Sequence, residues 1–83
     1  MNYEDFAQKE LHKIPKKELP RLISTLKSLE ENPRPNGCKK LKGAERINLW
    51  RVRVGNYCII YQIEEEIHIV DVRRIGHRKE VYK

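Results

Sequence analysis

The chain has 83 residues and a mass of 10.0 kDa, room for one small domain over 1–83 and no second. Charged residues make up 36% and hydrophobic ones 39%, and the apolar residues arrive in periodic runs, which excludes a disordered chain. The net charge of +6 lies wholly in residues 33–83, where twelve Lys/Arg face six Asp/Glu, whereas residues 1–32 hold six of each; an anionic partner follows, nucleic acid first and an acidic protein or membrane surface behind it.

Over 4–14, Ala7, Leu11 and Ile14 recur at i, i+4 and i+7, the spacing of one helical face, with Asp5 as N-cap and Pro15 as the stop. From Lys17 the stripe resumes with Leu19, Leu22, Ile23, Leu26 and Leu29. Pro20 then falls in the first helical turn, where its missing N–H costs little, and Asn32-Pro33 ends the helix. A link of about two residues implies an antiparallel helical hairpin. Residues 33–45 read as a loop with two prolines, an Asn-Gly turn and the basic cluster Lys39, Lys40 and Lys42.

Beyond the loop the period changes from 3.6 to 2. Ile47–Val54 sets Asn48, Trp50, Val52 and Val54 on one face and Leu49, Arg51 and Arg53 on the other. Gly55-Asn56 is a hairpin turn, Tyr57–Glu64 a second strand, Glu64–Glu66 the next turn and Ile67–Ile75 a third strand. Segregated helices and strands give an α+β domain: a helical hairpin on one face of a small antiparallel sheet of three to four strands.

The other face receives the arginines. Arg51 and Arg53, two apart on one strand, project together about 7 Å apart, a repulsion most easily tolerated where an anion is expected. Arg73 and Arg74 end the third strand, and His77, Arg78, Glu80 and Tyr82 crowd a short tail. A single exposed arginine mostly keeps a sheet soluble; four arginines with a histidine and a tyrosine near one sheet point to a site. Trp50 belongs with the core, while the faces of Tyr57 and Tyr61 stay open. The lysines of the loop are either solvated or phosphate contacts. No apolar run reaches the roughly 20 residues of a membrane span, and MNYEDFAQKE lacks the apolar core of a signal peptide. Cys38 and Cys58 form no Cys-x-x-Cys pair, and His12, His68 and His77 lack metal-ligand spacing. A reduced cytoplasmic setting fits, with no metal and no small-molecule cofactor expected.

The run Leu49-Trp-Arg-Val-Arg-Val-Gly-Asn-Tyr-Cys-Ile-Ile-Tyr61, the element Lys39-Lys-Leu-Lys-Gly43 and the ending Val72-Arg-Arg-Ile-Gly-His-Arg-Lys-Glu-Val-Tyr82 resemble the RelE/ParE superfamily of toxin–antitoxin toxins. The likeness covers residues 6–83. It implies a RelE-like fold and a type II toxin that cleaves message in the ribosomal A site, the RNA's own 2′-hydroxyl attacking the adjacent phosphate. Its implied partners are a cognate acidic antitoxin, the ribosome and mRNA. By motif position Arg51 and Arg53 match the paired basic residues of the central strand, Arg78 the basic position of the tail, and Tyr82 the terminal tyrosine.

These residue types suit that chemistry. Arginines at 51, 53 and 78 are planar, permanently charged and bidentate to phosphate, but cannot act as acid or base near neutrality. Tyr82, a phenol ordinarily near pKa 10, becomes a conceivable base if neighbouring arginines lower it, and His77 is the reserve for proton transfer. Lys39, Lys40, Lys42, Arg73 and Arg74 are candidate nucleic-acid contacts. Two departures stand out. Cys58 occupies a position where the family usually has arginine, which implies a slower or inactive nuclease unless Arg73 or Arg74 reaches the gap. Only three residues precede Glu4, so the family's first strand is expected to be shortened or lost, leaving an unpaired edge. The alternatives are a ParE-like inhibitor of DNA gyrase and a degenerate toxin that binds RNA or antitoxin without cutting.

Overall fold

The computed structural model describes residues 2–41 and 48–80. The chain runs β1 (Asn2–Tyr3), α1 (Asp5–His12), α2 (Leu19–Glu31), β2 (Lys39–Lys40), β3 (Leu49–Val54), β4 (Tyr57–Glu64) and β5 (Ile69–His77). These strands form one sheet in the order β1-β5-β4-β3-β2, with β1 parallel to β5 and the other pairs antiparallel. The expected α+β meander is its centre, and two two-residue edge strands extend it to five. β1 is the shortened first strand; Asn2 and Tyr3 pair with Asp71 and Val72, so that part of the β5 edge is covered. Segments of two residues carry no readable alternation, so only pairing with a longer neighbour defines them.

Helix boundaries shift for local reasons. Glu4, in extended conformation, is the N-cap of α1, and Asp5 lies inside the first turn, where its charge complements the positive end of the helix dipole. The helix stops at His12 because Ile14 precedes Pro15 and is disfavoured in the α region; Lys13 and Ile14 donate to Glu10 and Leu11 carbonyls in a tightened last turn. Six residues, not two, therefore join the helices. α2 accepts Pro20 in its opening turn and ends where Asn32 turns extended ahead of Pro33.

Both helices lie on one sheet face, α1 over β5 and α2 across β3 and β5. Ala7, Ile14, Leu22, Leu26 and Leu29 meet Val52, Ile59, Tyr61, Ile63, Val70, Val72 and Ile75 in one core. The register explains this set: Val52, Ile59 and Ile75 are cross-strand neighbours, as are Trp50, Tyr61 and Val72. Trp50 packs on this core as expected, and both Tyr57 and Tyr61 face the helices. Fully buried Tyr61 donates its hydroxyl to the Pro33 carbonyl at 2.7 Å, tying the loop after α2 to the sheet. No helix among the described residues is long and apolar enough to cross a membrane.

The β3–β4 hairpin turns through Gly55 and Asn56, with φ +62° at Gly55 alone, the pattern of a type II′ turn. A β-carbon at Gly55 would sit 3.3 Å from Nη1 of Arg21, a side-chain tip that can give way. Gly55→Ala should therefore cost about 1 kcal/mol through backbone strain, measurable by urea denaturation. The next turn has His68 at φ +54°, so β5 begins at Ile69 and the exposed Ile67 stays outside it.

Candidate nucleic-acid interface

Three aligned rows cross the sheet face opposite the helices. Arg53, Cys58 and Gly76 form the row nearest the hairpin turn, Lys39, Arg51, Ile60 and Arg74 the next, and Leu49, Gln62 and Asp71 the farthest. The pleat sends residues i and i+2 to the same side, so Arg51 and Arg53 project together as their spacing predicts. The floor is partly apolar: Cys58 and Ile60 are buried, with Leu41 and Leu49 packed against them.

A register shift between Ile60 and Tyr61 decides where the remaining arginines go. Ile60 pairs with Arg74 and Tyr61 with Val72, so Arg73 is the extra residue of a β-bulge. Its guanidinium bonds Gln62, and its Nε lies 3.5 Å from Asp71 Oδ2 and 3.8 Å from Glu4 Oε1. A hydrogen bond with buried Asp71, together with that residue's charge, holds the exposed Glu4 carboxyl above its usual range. Arg74 turns to α1 instead. Its Nε and Nη2 donate to the Glu10 carboxylate at 3.0 and 3.2 Å, and Glu10 also accepts the Ile75 N–H at 3.0 Å. Glu10 thus satisfies a β5 edge donor beyond the reach of β1. Arg34 pairs with Glu65 and lies 4.9 Å above the Trp50 ring.

Neither Arg73 nor Arg74 is directed at the row that holds Cys58. By contrast, Lys39, Arg51, Arg53 and Arg78 make no ion pair among the described residues. Arg78 is exposed, and its N–H donates to the Asn56 carbonyl at 2.9 Å, which holds the start of the tail against the hairpin turn beside Arg53. Lys40 pairs with Trp50 and so belongs to the opposite side from Lys39. His77 pairs with Tyr57, and its ring stands edge-on to the tyrosine 5.9 Å away, again on the helix side. Its Nδ1 accepts the Lys79 N–H at 3.2 Å, leaving the proton of the neutral ring on Nε2. Tyr82 and Lys42 lie outside the described residues. Tyr61 is no candidate base, because burial, reinforced by Cys38, pushes its hydroxyl far above the ordinary phenol range.

Sequence reasoning did not single out Glu10 or Asp71, the two carboxylates that engage Arg74 and Arg73. Their only signal was an acidic residue on a helix or strand. Cys58, at the position where arginine was expected, is wholly buried and directly opposite Arg53. Cys58→Arg should accordingly lower stability by about 2 kcal/mol, through overpacking and like-charge opposition, as read from the denaturation midpoint. No disulfide joins the two cysteines, and no group of His, Cys, Asp and Glu among the described residues could hold a metal ion.

The chain thus carries a basic sheet face backed by two helices, the layout against which its relatives can be compared. Residues 2–82 match the model of the ParE toxin of type II toxin–antitoxin systems, and the chain belongs to that family. It is a type II toxin of the RelE/ParE superfamily. The chain is 30% identical over 78 residues to the protein named RelE1 of Methanocaldococcus jannaschii, covering 90% of this chain and 84% of the relative. Among solved structures, the RelB–RelE antitoxin–toxin complex from Methanococcus jannaschii matches with a TM-score of 0.79 at 27% identity, over 99% of this chain and 95% of that one. The archaeal RelE–RelB complex from Pyrococcus horikoshii has the same fold, with a TM-score of 0.81 at 24% identity over 95% and 93% of the two chains.

Proposed function

We propose that this toxin is a ribosome-dependent mRNA endonuclease, with Arg51, Arg53 and Arg78 stabilising charge on the phosphate under attack by the 2′-hydroxyl. The observation that carries this reading is selective pairing. Carboxylates neutralise Arg34, Arg73 and Arg74, while Arg51 and Arg53 share an open face with no ion pair among the described residues. Cations preorganised without a partner are suited to a charge that grows in the transition state. Tyr82 is proposed as the proton-transfer residue by family position. His77, set on the helix side with Nδ1 engaged, is the weaker choice. Cys58 leaves the site one cation short, which supports a lower turnover. The neighbouring complexes with RelB support a cognate antitoxin as partner, and the basic face favours an acidic one.

Adding the purified chain to a translating extract and mapping new mRNA 5′ ends tests the reading. Codon-spaced ends that vanish in Tyr82→Phe and Arg78→Ala support it; intact message overturns it. Because the matched family is that of ParE, a gyrase supercoiling assay runs alongside, and lost supercoiling with intact message would favour the gyrase alternative. Intact message with normal supercoiling would leave the non-cleaving toxin.

RNA binding should also depend steeply on salt. If Lys39, Arg51, Arg53 and Arg78 each meet a phosphate, log K should fall against log salt with a slope near −3, taking about −0.7 per contact for a single strand. A filter-binding titration across salt concentrations measures it, and a flat response would remove the phosphate role of this face.

A further inference from the structure

Behind the end of β5, on the helix side, lies a cavity of about 420 Å³ that the core does not fill. Phe6, Lys13 and Ile14 wall it from the α1 side, Tyr57 and His77 from the sheet, and Glu80 from the tail. Its size falls within the range of small-ligand sites.

The walls are aromatic and held in place. Tyr57 and His77 stand edge to face. Phe6 is 58% exposed, yet the Arg74 guanidinium covers it 4.8 Å from the ring centre, and Glu10 holds that guanidinium. An exposed ring fixed from one side is a stacking surface. Polar groups at the rim can read an edge: His77, whose Nδ1 is engaged by the Lys79 N–H, leaves its Nε2 free, and Glu80 and Lys13 add their side-chain ends. A ligand with flat apolar faces and a donor–acceptor edge matches this set, and a nucleobase is such a ligand.

Position supplies the second argument. His77 follows Gly76, whose row on the open face contains Arg53, and it precedes Arg78. Arg78 therefore begins one residue beyond the cavity wall, where its N–H fastens it to the hairpin turn. We infer that the cavity holds one nucleobase of an RNA whose adjoining phosphate lies on Arg78. This inference rests on the RNA-cleaving reading and adds to it a base-selecting pocket.

NMR titration of the purified full chain with each of the four 3′-nucleoside monophosphates, and with inorganic phosphate, tests it. Nucleotides should shift the ring resonances of Phe6, Tyr57 and His77 together with the Arg78 side chain, and inorganic phosphate the Arg78 side chain without the rings. Phe6→Ala, at an exposed position that leaves the core intact, should weaken nucleotide affinity about tenfold without changing the phosphate response. Glu80→Gln should change the order of preference among the four bases. Arginine shifts with silent rings would overturn the pocket while leaving the RNA reading in place. Silence at both would overturn the pocket and the phosphate site together. Ring shifts produced by an acidic peptide but by no nucleotide would mark a protein-binding cavity and overturn the inference as well.

Discussion

Arg51→Ala and Arg53→Ala should each lower the rate of message cleavage about 10²–10³-fold, the loss seen when one preorganised donor to a developing oxyanion is removed. Stability should hardly move, by no more than about 0.5 kcal/mol, because neither side chain makes an ion pair among the described residues. Single-turnover cleavage and thermal melting on the same samples give the two numbers. The double variant should fall short of the product of the two losses, since residues acting on one phosphate are not additive. Arg74 provides the contrast within the same sheet. Arg74→Ala should lower the melting point and leave cleavage by the folded fraction near its starting rate, because that guanidinium is engaged by Glu10. If Arg74→Ala abolished cleavage while Arg51→Ala did not, the division between internal and external arginines would be wrong.

Glu10→Ala should be among the most destabilising substitutions outside the apolar core, at about 3 kcal/mol. The Glu10 side chain is 16% exposed and its partner Arg74 31%. One carboxylate there satisfies a guanidinium and the Ile75 N–H, and removing it strands both. In a domain of this size that loss corresponds to a fall in melting temperature of roughly 10–20 °C. Glu10→Gln keeps an acceptor for the Ile75 N–H and should lose about half as much. A double-mutant cycle with Arg74→Ala isolates the pair, and a coupling indistinguishable from zero would mean that the ion pair contributes nothing beyond packing.

Much of the architecture was legible along the chain. Leu22, Leu26 and Leu29 mark the buried stripe of α2, and the alternation through Trp50, Val52 and Val54 fixes which side of β3 meets the helices. Strong periodicity over many residues survives tertiary context. β1 and β2 were not legible, being two residues each and defined only by what they pair with. The bulge was not legible either, and it matters most for the site. It inverts the alternation of β5 after Arg73, so that Val72, Ile75 and His77 share the helix side although 72 and 75 differ by an odd step. That inversion sets His77 on the face opposite Arg51 and Arg53, although the three are close in the sequence pattern.

The charge imbalance, the α+β class and the pairing of Arg51 with Arg53 on one face follow from the sequence alone, because composition and two-residue alternation are local properties. Which cations remain available to an anion is a tertiary matter. Arg74 is neutralised by a carboxylate 64 positions away, and Arg34 by one 31 positions away. Such partners are found only when helix and sheet come together. Folding therefore sorts the described arginines of residues 33–83 into internal ion pairs at Arg34, Arg73 and Arg74 and unpaired guanidinium groups at Arg51, Arg53 and Arg78, and the unpaired ones are where RNA chemistry is proposed.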